Sequence, residues 1–204
     1  PRVNLDKPTT RIDIFFIGSR AYAGLFLFEI EHDFEGRKAH LRPKMFPTSL
    51  HPKLARAMVN MTGIKKGTIV DPFCGTGGIL IEAALMGIKA KGYDINPEMV
   101  SASIQNTKGL KGVKVEVKDA RKLDKKIGYV VTDMPYGRNS TAERHLYRKF
   151  FKVLDSLLLN TAVIGIPSEI SGAAMLKGTG LKLKTSITYY LHRSLSKKIL
   201  VVSK

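Results

Sequence analysis

Hydrophobic and polar residues alternate differently in the two parts of this 204-residue chain. In the first part, an alternating run around Ile14, a turn at Gly18 and a second apolar run predict a β-hairpin, which is barely stable unless it packs on something. A polar, basic stretch over residues 35–44 then has the composition of a linker. The pattern therefore predicts a short β-rich piece over residues 1–44 and a larger domain over residues 45–204.

From Met45 onward, short apolar strands alternate with amphipathic helices. Strands are predicted at 68–70, 89–93, 113–117, 129–132, 161–166, 181–191 and 198–202. Helices are predicted at 52–62, 78–86, 97–108 and 143–159. Alternating strands and helices imply a parallel sheet, whereas the last two strands are joined too closely to be anything but antiparallel. The predicted fold class is therefore α/β: a doubly wound, mostly parallel seven-stranded sheet with an antiparallel C-terminal hairpin.

The composition argues against several classes of protein. Apolar residues make up 44% of the chain, and no stretch approaches the roughly 20 apolar residues of a membrane span, so no membrane partner and a cytoplasmic location are expected. Cys74 is the only cysteine, which excludes an internal disulfide and a zinc site built from cysteines, and no metal is expected. The chain does not begin with Met, so we expect a fragment or a processed product.

Charge points to a polyanionic partner. The chain carries 34 Lys and Arg against 17 Asp and Glu, a formal net charge of +17. Such an excess creates a long-range field that attracts polyanions, and on a compact domain it is the usual sign of nucleic-acid binding. A very soluble basic surface, or a partner for acidic protein or lipid, is the alternative.

A glycine-rich turn follows the first predicted strand of the larger domain. Its sequence is Asp71-Pro72-Phe73-Cys74-Gly75-Thr76-Gly77-Gly78. Glycine lets a backbone approach a ligand closely, and cofactors of doubly wound sheets bind at the carboxyl ends of the strands. Leu80 stands where a dinucleotide fingerprint needs its last glycine, and no Walker lysine follows. The turn predicts a nucleotide-like cofactor, with tight strand–helix packing as the alternative; we interpret Cys74 as a small buried filler.

Acidic residues end the neighbouring strands. Asp94, followed by Ile95, lies about 20 residues beyond the turn, where it can hold ribose hydroxyls; it could instead cap a helix. Asp119-Ala120 follows the third strand and could bond an adenine edge, with a plain turn as an equal alternative. Asp71 would suit a cofactor that carries a sulfonium and an ammonium group.

A second motif, Asp133-Met134-Pro135-Tyr136, ends the fourth predicted strand. The amines of guanine and adenine are poor nucleophiles, because their lone pair is delocalised into the ring. A carboxylate on Asp133 and the carbonyl of Met134 could each accept one N–H, while Tyr136 stacks on the base for about 1–3 kcal/mol and Pro135 stiffens the turn. Asp, Pro and Gly also favour ordinary turns. Because both motifs end strands on one edge, they predict an S-adenosylmethionine (SAM)-dependent N-methyltransferase.

These motifs resemble the archaeal tRNA (guanine-10-N2)-methyltransferases, THUMP-containing class I amino-methyltransferases. The resemblance is carried by residues 42–60, 71–83 and 133–138. It implies SAM as cofactor, tRNA as partner, and methylation of the N2 amine of a guanosine, expected at position 10, to N2-methyl- or N2,N2-dimethylguanosine. We also expect a monomer.

The resemblance also implies roles for single residues. Asp133 would hold the amine, Thr48-Ser49 would help enclose the methionine end of SAM, and His51 would orient that segment. Arg138 would meet a phosphate or the base, unless it forms a structural salt bridge. Met134 stands where the family has proline, which makes the turn less rigid.

Of the family's RNA-binding THUMP domain, only the possible last strands correspond to residues 1–30, so we expect this chain to bind SAM but to hold tRNA weakly. The alternatives are an amino-methyltransferase acting on adenine N6 or on protein glutamine, and a non-catalytic SAM-fold module that binds RNA.

Overall fold

The computed structural model describes residues 4–29, 33–46, 49–135, 141–192 and 195–204. Its contacts divide the chain into two units, Pro1–Asp33 and Phe34–Lys204. The division thus lies earlier than the boundary near residue 44 that the composition suggests.

The first unit contains the predicted hairpin. Strands β1 (Ile12–Ile17) and β2 (Arg20–Leu25) pair antiparallel, and Gly18 takes a φ of +59° in the turn between them. The guanidinium of Arg11 lies 4.3 Å from the ring centroid of Phe26. Nearly all side chains of the two strands are exposed.

The second unit alternates helices and strands. Its helices are α1 (Pro52–Met61), α2 (Gly78–Leu85), α3 (Pro97–Asn106), α4 (Thr141–Leu157) and α5 (Gly172–Leu176). Its strands are β3 (Thr68–Asp71), β4 (Lys89–Asp94), β5 (Val113–Val117), β6 (Ile127–Asp133), β7 (Leu158–Pro167), β8 (Lys182–His192) and β9 (Leu195–Ser203). Short 3₁₀ turns lie at Ala39–Leu41 and Ala120–Lys122.

The seven strands form one sheet in the order β5-β4-β3-β6-β7-β9-β8. Strands β3 to β7 pair parallel, and β9 runs antiparallel to both β7 and β8. This confirms the predicted α/β class and its antiparallel C-terminal hairpin. The chain order reverses between β3 and β6, and open sheets of this kind bind ligands beside that reversal, at the carboxyl ends of the strands.

Helices cover both faces of the sheet. Neighbouring positions on a strand point to opposite faces, so both faces present apolar side chains that the helices bury. Val130 packs with α4 and α5, whereas Val131 packs with α1 and α2. The helix predicted at 143–159 is amphipathic as expected, and the apolar residues of one face are buried: Tyr147, Phe150, Phe151, Leu154, Leu157 and Leu158. That helix ends at Leu157 rather than at 159, because Leu158 pairs with Ile127 and begins β7. No helix among the described residues is long and apolar enough to cross a membrane.

Candidate active site

A cavity of about 680 Å³ lies at the strand-order reversal. Both predicted motifs contribute to its wall. Its lining includes the predicted residues Ser49, Asp71, Cys74, Gly75, Thr76, Asp94, Ile95, Asp119, Ala120, Asp133, Met134 and Pro135. Gly77 does not line it; it is the residue that caps the N-terminus of α2. The predicted site residues Thr48, Tyr136 and Arg138 lie outside the described residues.

The glycine turn forms the floor of the cavity. Gly75 and Gly77 take φ values of +49° and +85°, which side chains rarely adopt. A Cβ on Gly77 would also lie 2.5 Å from Oγ of Ser103. The turn is tied to β4, since the Gly75 amide donates to Asp94 at 3.0 Å and the Cys74 amide to the Tyr93 carbonyl at 2.9 Å. These bonds fix the turn, and its glycines place no side chain between the backbone and the cavity.

Asp94 is fixed by backbone amides rather than by a cation. One carboxylate oxygen accepts from the amide of Gly75 and the other from that of Asn96 at 2.9 Å. The helix cap is Asn96, whose side chain accepts from the Glu98 amide. Asp94 is thus not the cap of α3, and each of its oxygens retains a lone pair for a ligand hydroxyl.

Asp119 stabilises a turn by hydrogen bonds and also lines the cavity. Its side chain accepts from the Arg121 amide at 2.8 Å and forms an ion pair with the Arg121 guanidinium at 2.6 Å. That hydrogen-bonded pair holds the pKa of Asp119 below its usual range. The two interpretations of this residue are therefore compatible.

Asp71 is buried below the glycine turn. One oxygen accepts from the Thr132 hydroxyl at 2.6 Å and from the Phe73 amide at 3.2 Å. Burial raises the pKa of Asp71 to about 7 despite these bonds. Burial likewise raises the pKa of the Cys74 thiol, which keeps it protonated and fits a packing role rather than a nucleophile.

The segment before α1 closes one side of the cavity. The Ser49 hydroxyl lies 2.9 Å from that of Thr76 and so joins this segment to the glycine turn. His51 caps α1, because its Nδ1 accepts from the Lys53 amide at 3.2 Å. His51 thus holds the segment in place.

Asp133 ends β6 and also lines the cavity. Its Oδ2 accepts from the Lys197 ammonium at 2.6 Å, whereas its Oδ1 is buried and has no hydrogen-bond partner among the described residues. The Met134 amide donates to the Gly165 carbonyl at 2.9 Å, a bond that a proline could not make. The Pro135 carbonyl accepts from the Tyr147 hydroxyl at 2.6 Å. Bonds to β7, β9 and α4 therefore hold the motif.

The sequence does not predict a role in the site for two of these supporting residues. Tyr147 falls within the amphipathic helix predicted at 143–159, and Lys197 falls in the short connection between the last two predicted strands. The one signal for Lys197 is its position two residues before a run that is apolar on both faces, from Ile199 to Val202. Its burial depends on the register of β9 with β7, where it lies opposite Pro167.

Comparison with known proteins agrees with this architecture. The family model for UPF0020, described as the RMKL-like methyltransferase domain, matches residues 39–193. A tRNA (guanine(10)-N2)-dimethyltransferase from Methanothermobacter thermautotrophicus is 39% identical over 219 aligned positions, covering 100% of this chain and 64% of that protein. The chain thus spans a little under two thirds of the length of such curated relatives.

Solved structures share the fold at low identity. TrmN from Thermus thermophilus superposes with a TM-score of 0.68 at 21% identity, over 98% of this chain and 61% of that one. The magnesium protoporphyrin IX methyltransferase ChlM from Synechocystis PCC 6803, solved with bound SAM, gives a TM-score of 0.62 at 18% identity, over 76% of this chain and 79% of that one.

Proposed function

Since the chain belongs to the UPF0020 family of RMKL-like methyltransferase domains, we propose that it methylates the exocyclic N2 amine of a guanosine in tRNA, with SAM as the methyl donor. The observation that carries the proposal is the convergence of two distant motifs on one cavity. A basic chain of net charge +17 suits an RNA substrate, and the relative from Methanothermobacter is named for this reaction at guanosine 10.

The residues of the cavity fit SAM. A volume of about 680 Å³ lies in the range of small-ligand sites. Gly75 and Thr76 offer a close backbone approach, the oxygens of Asp94 retain lone pairs for ribose hydroxyls, and Asp71 is a buried acid for the cationic end. Ser49 would close the methionine end, and Asp119-Ala120 would meet the adenine. When bound, SAM supplies a methyl group on a positively charged sulfur that needs no further activation.

The acceptor side would act by orienting the amine. Oδ1 of Asp133, which has no hydrogen-bond partner among the described residues, would accept one N–H, and the carbonyl of Met134 the other, so that the nitrogen lone pair points at the methyl group. The Pro135 carbonyl is already engaged by Tyr147 and would serve to fix the loop. Tyr136, by its place directly after Pro135, would stack on the base, and Arg138 would meet the base or a phosphate.

The test is methyl transfer to tRNA with isotope-labelled SAM, followed by nucleoside mass spectrometry. We expect label in N2-methyl- or N2,N2-dimethylguanosine. Asp133→Ala should lower kcat by about 100-fold or more, with little change in the Kd for SAM, because the residue would touch the amine and not the cofactor. Asp124→Ala, which removes an exposed ion pair with Lys118, is the matched control.

The outcome also separates the alternatives. Label in N6-methyladenosine or in protein glutamine would show that the acceptor is adenine or glutamine and not guanosine. Full turnover by Asp133→Ala would remove the proposed acceptor chemistry, and SAM binding without turnover on any acceptor would favour a non-catalytic module.

A further inference from the structure

The environment of Asp133 contains a second charged residue that the motif does not supply. Lys197 lies on β9 with its side chain 4% exposed, and its Nζ donates to Oδ2 of Asp133 at 2.6 Å. The two side chains lie together over Gly165 of β7, where an added Cβ would be 2.4 Å from Oδ1 of Asp133 and 3.4 Å from Cδ of Lys197. Three strands therefore fix this ion pair.

The pair leaves the carboxylate with two unequal oxygens. Oδ2 is engaged by the ammonium, whereas Oδ1 is buried without a hydrogen-bond partner among the described residues, and Asp133 lines the cavity. A buried acceptor without a partner costs about 1–3 kcal/mol, so native structures rarely keep one without a reason. The ion pair fixes the plane of the carboxylate and thereby the position of Oδ1.

The charge of Lys197 matters because the surroundings disfavour a carboxylate. Burial raises the pKa of Asp133, and the ammonium of Lys197 opposes that shift. Asp71, at the end of β3, is a second acid whose pKa the charge of Asp133 helps to raise, and such repulsion between two carboxylates acts on both of them. A protonated Asp133 would be partly a donor and could not serve equally well as an acceptor for an amine.

We propose that Lys197 is a positioning residue that keeps the Asp133 carboxylate ionised and oriented, so that Oδ1 accepts an N–H of the target amine. This inference rests on the proposed function, and it adds a requirement that the Asp-Met-Pro-Tyr motif alone does not contain. Lys197 acts through Asp133 and contacts neither SAM nor the base.

The primary test compares Lys197→Met, which keeps the length but removes the charge, with Lys197→Arg, which keeps the charge. Lys198→Met, on the other face of the same strand, is the matched control; within the described part of the chain, its ammonium contacts a backbone carbonyl, that of Ile170, at 3.4 Å. We expect Lys197→Met to lower kcat at pH 7 by about 10- to 100-fold and to move the acid limb of the pH profile upward, so that activity recovers as the pH rises. Lys197→Arg should restore most of the rate at neutral pH.

Two readouts do not depend on turnover. The Kd for SAM in Lys197→Met should stay within about twofold of wild type, because Lys197 does not line the cavity. Carboxyl ¹³C NMR should show one aspartate titrating at higher pH in this variant, and that signal should be missing in Asp133→Asn/Lys197→Met.

A double-mutant cycle covers the case in which Lys197→Met does not fold. Removing both charges avoids a buried unpaired ion, so Asp133→Asn/Lys197→Met should be at least as stable as either single variant. If Lys197 acts only through the charge of Asp133, adding Lys197→Met to Asp133→Asn costs no further activity. A further loss in that background would overturn the inference, as would an active wild type whose Lys197→Met variant keeps its rate and pH profile. An inactive wild type would instead refute the proposed function.

Discussion

Two buried acids, Asp71 and Asp133, end neighbouring strands at the same edge of the sheet, and they are stabilised by different means. Asp71 is 1% exposed and is held by a hydroxyl and a backbone amide, with no cation in an ion pair among the described residues. Asp133 has the ammonium of Lys197 at 2.6 Å. Neutral donors compensate a buried charge less well than a cation does, so Asp71 should be the acid that titrates near neutral pH.

This difference predicts how stability depends on pH. The pKa of Asp71 is raised from its ordinary value of about 4 to about 7 in the folded protein. Between these values the folded state binds more protons than the unfolded state, so the contribution of Asp71 to stability is present below pH 4 and is lost as the pH rises to about 7. Asp71→Asn should flatten this part of the profile, measured as the melting temperature without SAM from pH 4.5 to 8.

Binding of SAM should show the opposite pH dependence. A cationic ligand favours the ionised form of Asp71, so SAM should bind more tightly as the pH rises through 7, and S-adenosylhomocysteine, which lacks the sulfonium, should respond less. Equal responses of both ligands, or an unchanged stability profile in Asp71→Asn, would contradict this role.

A second prediction at the residue scale concerns Tyr147. Its hydroxyl donates to the Pro135 carbonyl at 2.6 Å, and its ring is fully buried in the core under α4. Tyr147→Phe keeps the ring and removes the bond, so we expect a loss of about 0.5–1.5 kcal/mol in the free energy of unfolding and a several-fold lower kcat, because the loop after β6 is held less firmly. Denaturant unfolding and steady-state kinetics measure both, with the exposed Tyr189→Phe as control. A Tyr147→Phe variant with unchanged kcat would show that this bond serves stability alone.

At the scale of elements, the parallel pair β6–β7 determines the space available to the Asp133 carboxylate. Asp133 pairs with Gly165, whose missing side chain leaves the space that the carboxylate occupies. Gly165→Ala would place a Cβ 2.4 Å from Oδ1 of Asp133, closer than any real contact, so the carboxylate must move. We expect kcat to fall by about 100-fold or more while SAM still binds.

The matched control for that variant is Gly128→Ala in β6. Of the residues that the structure describes, its added Cβ would meet only the Asn160 side chain, at an ordinary 3.5 Å. Isothermal titration with SAM and methyl-transfer assays on both variants separate a local displacement from general damage to the sheet. Equal losses in the two variants would show that strand packing, rather than the position of Asp133, explains the effect.

The elements also show what the sequence could predict. Local patterns sufficed for β3 and the turn after it, because a short apolar run, an aspartate and closely spaced glycines lie within eleven residues of one another, from Thr68 to Gly78. They also sufficed for the antiparallel β8–β9 hairpin, because its connection is short. The partners of Asp133 could not be predicted in this way. Lys197 is 64 positions away, and its burial follows from the register of β7 with β9, which no local pattern encodes.

At the scale of the whole molecule, the unit that contains the cavity has a boundary that can be tested. Every described residue that lines the cavity belongs to Phe34–Lys204. Composition indicated a linker over residues 35–44, but this segment bonds to the second unit. Arg37 forms an ion pair with the fully buried Glu82 of α2 at 2.8 Å, and the Lys44 amide donates to the Asn106 side chain at 2.9 Å.

Two shortened chains therefore test the two boundaries. A chain of residues 34–204 keeps both cationic partners of Glu82, Arg37 and Arg56, and should bind SAM with a Kd within about twofold of the full chain. A chain of residues 45–204 leaves the buried Glu82 with Arg56 alone, so we expect a loss of about 2 kcal/mol or more in the free energy of unfolding.

Denaturant unfolding of both chains, with and without Glu82→Gln, assigns any such loss to its cause. If the lost ion pair is responsible, Glu82→Gln should destabilise the chain of residues 34–204 more than the chain of residues 45–204, because only the former has the Arg37 bond to lose. Equal stability of the two shortened chains would mean that the contacts of residues 34–44 add nothing to the free energy of unfolding. The stable unit would then begin near residue 45, as the composition suggests.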